Sequence, residues 1–197
     1  MPVFGIVSLK GGVAKTTTAI HLAACAAMDG ARAVTVLDAD EEQSACQWAA
    51  AGQLPFKVVR AERDRLARQV KALRKEHRRS VIVIDTPPNS RELLARAAAV
   101  ADTVVVPVCP TGLDVNRLRP SLELLRDIEA ERGHLKVAIL FTRWDGRQIL
   151  AREALEALES FPVLDAKIRQ LARYAQAFGE RPTYLDEYAA VWRELQS

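Results

Sequence analysis

The chain has 197 residues, 49% of them apolar and 27% charged, with a formal net charge of +3. That length supports one core and is short for two ordinary domains, and the composition excludes a disordered or low-complexity chain. One domain over residues 1–197 is therefore expected. Cys25, Cys46 and Cys109 are odd in number and lack C-x-x-C spacing, which argues against zinc, iron–sulfur or disulfide frameworks. No apolar run reaches membrane-spanning length, and the N-terminus enters a strand without the basic and apolar regions of a secretory signal, so a cytoplasmic location is expected.

In chain order, an apolar run from Val3 to Leu9 reads as a strand, followed by a glycine loop and an alanine-rich helix from Lys15 to Met28. A strand from Ala33 to Asp38 and a helix from Gln43 to Ala51 come next. Further strands are expected near Phe56 to Val59, Val81 to Asp85, Thr103 to Val108 and Val137 to Thr142. Helical patterns cover Arg63 to Lys75, Ser90 to Val100, Val115 to Glu131 and Arg147 to Leu158, then Ala166 to Phe178 and Tyr184 to Leu195. Strict alternation of this kind points to an α/β fold, a doubly wound and mostly parallel sheet flanked by helices.

The loop between the first strand and the first helix is K-G-G-V-A-K-T-T, Lys10 to Thr17. A helix start offers unpaired N–H groups and partial positive charge, and Gly11 and Gly12 admit an anion close to the backbone. A polyphosphate is the ligand such a loop suits. Lys15 supplies a full charge to the terminal phosphates, Thr16 a hydroxyl to Mg²⁺, and Thr17 a contact to an inner phosphate. Leu9 and Ala14 stand where the ordinary P-loop has glycine. A left-handed backbone at Ala14 would cost on the order of 1 kcal/mol, so right-handed angles are expected there. Two further strands end in carboxylates. Asp38 and Asp40 close V-T-V-L-D-A-D, and Asp85 closes V-I-V-I-D-T-P-P, whose four β-branched residues suit a strand buried on both faces. Carboxyl ends of parallel strands converge on the ligand crevice. Asp85 can there hold a Mg²⁺ water, and Asp38 and Asp40 read either as site residues or as a strand end with a helix cap.

The early lysine, Lys10, makes the loop resemble the deviant Walker A motif of the ParA/MinD family of ATPases, and the small ParA-type partition proteins in particular. The resemblance extends over D-x-D with Ser44, Ala45 and Trp48, over D-T-P-P, over Val104 to Pro107 with Pro110 and Asp114, and over Phe141 to Arg143. It continues through Tyr174 to Gly179 with Thr183 to Asp186. The family resemblance implies ATP and Mg²⁺ as cofactors. ATP is held by Gly11, Gly12, Val13, Ala14, Lys15, Thr16 and Thr17, with Arg143 near the adenine. It further implies a homodimer in the ATP state, with Lys10 reaching the nucleotide of the other subunit and Asp40 orienting the attacking water. Glu41 and Glu42 depart from the proline and amide residues common in relatives.

The same resemblance implies slow ATP hydrolysis stimulated by DNA and by a ParB-type centromere-binding protein, in a nucleoid-associated partition ATPase. Without an N-terminal helix-turn-helix extension, only sequence-independent binding to double-stranded DNA is expected. Relatives carry DNA-contacting residues where this chain has Arg147, Arg152, Lys167, Arg169 and Arg173; a second basic set, Arg68, Lys71, Lys75 and Arg78, falls on one helical face. That face reads equally as a solvated helix surface. Competing readings are a ParA-like ATPase that positions another cargo, a MinD-like membrane ATPase, and a small-molecule synthetase or amidase. The apolar stripe Tyr188, Val191, Trp192 and Leu195 is better explained by core packing than by a membrane, and Trp144 and Trp192 by packing than by base stacking.

Overall fold

The structure is a computed structural model that describes residues 2–76 and 80–197, with the backbone alone for 112–117. Arg78 of the basic helical set and the side chain of Asp114 lie outside the described residues. Six parallel strands form the sheet: β1 (Val3–Ile6), β2 (Ala33–Asp38), β3 (Lys57–Arg60), β4 (Ser80–Asp85), β5 (Thr103–Val108) and β6 (Lys136–Phe141). Their spatial order is β3-β2-β4-β1-β5-β6. The chain steps outward from β1 to β2 and β3, then returns to β4 and crosses β1 to reach β5 and β6. Right-handed crossovers in opposite directions must lie on opposite faces. Accordingly α1 (Lys15–Met28) and α2 (Ser44–Ala51) cover one face, and α3 (Leu66–Glu76), α4 (Arg91–Val100) and α5 (Gly112–Arg132) cover the other.

Strand alternation divides the buried residues between two cores. Phe4, Ile6, Val36, Val83 and Val105 pack under α1, Trp48 of α2 and the C-terminal helix α8 (Asp186–Gln196). Val3, Leu37, Ile82, Ile84, Val104 and Val106 pack under α3, α4, α5 and α6 (Ile149–Ala157). Buried on both faces, the central strands read as continuous apolar runs, as parallel sheets require. Tyr188, Val191 and Trp192 of α8 are buried, and the Trp192 ring lies 5.4 Å from Phe4. The stripe is therefore core. Trp144 likewise packs on Phe141, and no helix among the described residues is long and apolar enough to cross a membrane.

The helix expected from Ala166 to Phe178 is largely absent: only α7 (Ala172–Gln176) forms. Residues 162–169 run instead beside the outer edge of β6. Ile139 N–H donates to Pro162 O, Leu164 N–H to Ile139 O, Ile168 N–H to Phe141 O and Trp144 N–H to Ile168 O, at 2.8–2.9 Å. An edge strand's open backbone groups outweigh a modest local helix preference.

Ala14 is also not right-handed. Its φ of 64° and ψ of 35° place it in the left-handed region at the N-terminus of α1. The contact that fixes it is Thr18 N–H to Ala14 O at 2.9 Å, while Val13 is locked inside the core, its carbonyl accepting from Thr142 Oγ1 at 3.2 Å. A tertiary anchor at Val13 on one side and the first hydrogen bond of α1 on the other override a local cost of about 1 kcal/mol. Ala14→Gly is expected to stabilise the nucleotide-free protein by up to about 1 kcal/mol, a rise in Tm of roughly 2–4 °C by calorimetry.

On the second turn of α1, His21 is buried, stacked on Tyr188 at 4.7 Å and edge-on to Tyr174 at 5.3 Å, and its Nδ1 pairs with Thr17 O at 2.8 Å. Burial pushes its pKa down to about 4, the Thr17 carbonyl opposing. A base with a depressed folded pKa stabilises fully above its unfolded pKa of 6.5 and progressively less as pH falls to 4. His21→Phe should flatten the dependence of unfolding free energy on pH in that window, removing on the order of 3 kcal/mol of acid sensitivity in denaturant titrations.

Candidate functional site

The carboxyl ends of β1, β2 and β4 meet in register, Ile6 beside Asp85 and Asp85 beside Asp38. The loop leaving β1 therefore passes directly over two aspartates. Gly12 has φ 73° and, with Ala14, turns the chain so that α1 begins beneath the loop. A Cβ on Gly11 would lie 3.8 Å from Pro88, in the segment that follows β4. That segment is tied down as well: Thr86 Oγ1 donates to Ile6 O at 2.9 Å and Asn89 N–H to Leu9 O at 3.0 Å. The D-T-P-P turn is thus fastened to the glycine loop.

Lys15 is 7% exposed, and its Nζ donates to Lys10 O at 2.8 Å, folding back across the loop. Burial lowers its pKa, while Asp85 and then Asp40 raise it in compensation. Asp85 is 1% exposed, and neither carboxylate oxygen has a hydrogen-bond partner among the described residues. Burial pushes its pKa up to about 7; the Thr16 hydroxyl, near but outside hydrogen-bonding geometry, and Lys15 pull it down, and Asp38 and Asp40 add to the rise. Unpartnered buried carboxylate oxygens are costly. Beside the Thr16 hydroxyl they make a hard oxygen donor set, which fits a hydrated divalent cation.

Asp38 and Asp40 separate in role. Asp38 is fully buried, accepting Asp40 N–H at 3.1 Å and Cys46 N–H at 3.0 Å. Cys46 lies in the first turn of α2, whose N-cap Gln43 has a left-handed backbone and no side-chain capping bond. Asp38 therefore caps α2 from a distance. Asp40 accepts Glu42 N–H at 3.1 Å and faces the same cavity as Lys15 and Thr16. Glu41 turns away to pair with Arg63 at 2.7 Å.

That cavity has a volume of about 790 Å³, and Gly11, Gly12, Ala14, Lys15, Thr16, Thr17, Asp40 and Arg143 all line it. Its size suits a small-molecule ligand of nucleotide dimensions. Arg143 reaches it from the end of β6 with φ 53°. Val13 is buried behind the loop, Asp85 lies beneath it, and Lys10 begins the loop, half-buried. Its far wall is Ile168 to Ala172 with Tyr174 and Tyr188. This wall is the segment expected as helix, and its irregular path is what opens the cavity. Arg169 lines it too, bound to Glu187, whose side chain is 12% exposed; Glu187 also accepts Tyr174 Oη at 2.9 Å and Arg169 N–H at 3.0 Å. Sequence reasoning did not single out Glu187. An acidic residue near Arg169 only in space leaves no signature in spacing.

Of the remaining basic residues of the C-terminal set, Arg147, Lys167 and Arg173 are each engaged within the chain. Arg147 clasps Asp145 through two bonds of 2.9 Å, Arg173 stacks over Tyr184 at 4.0 Å, and Lys167 donates to Asp165 O at 3.0 Å.

Comparison with known proteins agrees with this architecture. Residues 4–182 match the model of the CobQ/CobB/MinD/ParA nucleotide binding domain. A protein ParA of Rhizobium radiobacter is 33% identical over 145 residues, 72% of this chain and 64% of its own length. The chain thus spans less than two thirds of that relative. Maintenance of carboxysome distribution protein A of Gloeobacter kilaueensis is 33% identical over 183 residues, 89% of this chain and 80% of its own length. Among solved structures, a putative plasmid partition protein of Borrelia burgdorferi B31 bound to AMPPNP superposes with a TM-score of 0.74 at 15% identity, covering 99% of this chain and 98% of the other. Cobyrinic acid a,c-diamide synthase of Mycobacterium smegmatis with an ATP analogue and magnesium gives a TM-score of 0.72 at 21% identity, covering 100% and 96%. At those identities the likeness is one of fold. A six-stranded parallel sheet with a glycine loop at its switch point, and a family match over nearly the whole length, lead to one conclusion: this chain belongs to the CobQ/CobB/MinD/ParA nucleotide-binding family.

Proposed function

We propose that the chain is a ParA-type ATPase that binds ATP with Mg²⁺, pairs with a second copy in the ATP state, binds duplex DNA without sequence preference, and partitions DNA until a ParB-type partner triggers hydrolysis. The observation that carries this reading is the buried Lys15 ammonium above the unpartnered Asp85 carboxylate at the mouth of a cavity that also holds Asp40. A polyphosphate supplies the negative charge that this buried lysine otherwise draws from Asp85 and Asp40.

In this reading the N–H groups of the loop and of the first turn of α1 receive the phosphates, and Lys15 leaves Lys10 O to neutralise them. Thr16 and Asp85 would hold Mg²⁺, which would supply positive charge to the phosphates. Asp40 orients the attacking water, and Lys10 contacts the nucleotide of the second subunit. Catalysis is then positioning and charge stabilisation, with no covalent intermediate. Dimerisation encloses the site, and the protein acts in the cytoplasm on nucleoid DNA.

A second reading is favoured by the Gloeobacter relative, which matches over more of this chain than the ParA relative does and is named for carboxysome distribution. Under it the same ATP cycle positions a protein cargo. Pull-down with purified cargo candidates, against a centromere-binding partner, separates the two.

Asp40→Ala is expected to bind ATP and dimerise while hydrolysing at least about 100-fold more slowly, whereas Lys15→Ala loses the nucleotide response. Sizing with a non-hydrolysable ATP analogue and Mg²⁺ checks dimerisation, and equal turnover in wild type and Asp40→Ala sinks the assignment of Asp40. Lys10→Ala is expected to remain monomeric under the same conditions yet bind ATP. Asp85→Asn removes a carboxyl that burial resists charging, so at pH 8 the nucleotide-free variant should keep or raise its Tm while Mg²⁺-dependent turnover falls. A loss of both would make Asp85 a purely structural residue.

A further inference from the structure

The fold carries cations in two very different situations. In the C-terminal set, Arg147, Lys167, Arg169 and Arg173 each have a partner within the chain, and Arg152 on α6 is the exception among the described residues. A phosphate contact at Arg147 or Arg169 competes with an existing carboxylate partner, so only the surplus over that contact is gained, and Lys167 and Arg173 are already oriented by Asp165 O and the Tyr184 ring. On α3 the situation is reversed. Arg68, Lys71 and Lys75 are exposed, and none has an ion-pair partner among the described residues.

Spacing places these three on one side of the helix, within about 60° of one another at 100° per residue, and about 10 Å apart end to end. That length is roughly the axial rise of three base steps of one DNA strand. The opposite side of α3 is anchored by buried Leu66 and Val70, which fixes the outward face. Arg74, on another side, is committed to Asp102 through bonds of 2.8 and 2.9 Å. Lys57 of β3 points to the same face of the sheet as α3 and shares a hollow with Leu73 and Glu76. Nearby acids are mostly occupied: Glu62 pairs with Arg65 and Asp64 with Arg96, leaving Glu76 as the acidic residue of α3 itself.

We infer that the flank formed by α3 and the adjoining edge of β3 binds the phosphate backbone of duplex DNA, with Arg68, Lys71 and Lys75 as the principal contacts and Lys57 beside them. This rests on the DNA-binding reading above and assigns its surface. A membrane is disfavoured because the exposed apolar residues are only Ala67 and Ala72 on α3 and Val59, 40% exposed, on β3, which make no continuous apolar stripe to insert. Absence of an aromatic residue on α3 removes the stacking platform that single strands require. Phosphate contacts without base-reading groups give sequence-independent, salt-sensitive binding. The flank lies on the side wall of the sheet, while the nucleotide cavity lies at its carboxyl edge, so pairing across the cavity leaves both flanks presented.

The test compares Arg68→Ala/Lys71→Ala/Lys75→Ala with Arg147→Ala/Lys167→Ala/Arg173→Ala, both full length. Binding to a random-sequence fluorescent duplex is followed by anisotropy, with a non-hydrolysable ATP analogue and Mg²⁺, across a salt series. The α3 variant is expected to bind about tenfold or more weakly near 100 mM salt, and its slope of log K against log salt should fall by about 0.9 for each phosphate it no longer neutralises. The C-terminal variant should be weakened less, and ATP binding without DNA should be unchanged in the α3 variant. Wild-type affinity and slope in the α3 variant overturn the surface assignment while leaving DNA binding intact. Wild-type protein that binds no duplex in any nucleotide state overturns the DNA reading itself, and the assignment with it. Binding to phosphatidylglycerol vesicles in place of DNA, abolished in the α3 variant, assigns the flank to membranes and overturns it too.

Discussion

A lysine ammonium withdrawn from water above two buried aspartates is the constraint around which the carboxyl edge of the sheet is organised. Lys15, Asp38 and Asp85 are each less than a tenth exposed. Bringing charges out of water costs several kcal/mol per ion after relaxation, recovered only where partners are well placed. Here recovery is incomplete. Lys15 has a carbonyl partner and Asp38 has two N–H partners, while Asp85 has none among the described residues. The rest of the fold supplies the stability that keeps this arrangement in place. Parallel strands in register hold Asp38 beside Asp85, and the Thr86 and Asn89 bonds hold the following turn against the loop. Strain at Ala14 belongs to the same pattern, because a backbone held between the buried Val13 and the first turn of α1 can keep a conformation that alanine disfavours.

Much of this was legible in the sequence because it was local. Continuous β-branched runs marked the buried strands, and the lysine-flanked glycine loop marked the start of α1 at Lys15. Even the divergence of Asp38 from Asp40 was open to reading, since an aspartate at a strand end either caps or faces the ligand. What escaped was non-local. Whether Ala14 is left-handed depends on Val13 being pinned by Thr142, a residue 129 positions away. Residues 162–169 depend on the free edge of β6, which no helix propensity records. The carboxylate of Glu187 reaches Arg169 and Tyr174 across a turn, and only the folded chain brings them together.

Those non-local contacts join the phosphate loop to the C-terminal helices. Thr18 on the first turn of α1 shares a hydrogen bond of 3.2 Å with Tyr188 of α8, and His21 one turn later stacks on the same ring. Tyr188 and Tyr174 also form part of the cavity wall, and Tyr174 is bonded to Glu187, which holds Arg169. The helix that follows the glycine loop and the wall opposite it are therefore fastened to one element, α8. A packed core of this kind moves as a body or not at all. Displacement of α1 on nucleotide binding must either carry α8 with it or break the Thr18 to Tyr188 bond.

In the proposed reading, anion recognition is divided between two surfaces built on different physics. At the carboxyl edge, a few buried charges and backbone N–H groups would hold one small ligand with defined geometry. On the α3 flank, exposed side chains face solvent, where each contact is worth little and is screened within about a Debye length. Such a surface gains affinity by number. In the proposed ATP-state dimer two flanks would face the same duplex, and the second engagement would proceed at the effective concentration set by the first, which can raise overall affinity by about 10²–10⁴ without any new kind of contact. In the proposed reading the weak surface becomes useful only when the precise one is filled, and locking the cations of α3 into ion pairs, which none of them makes among the described residues, would erase that dependence.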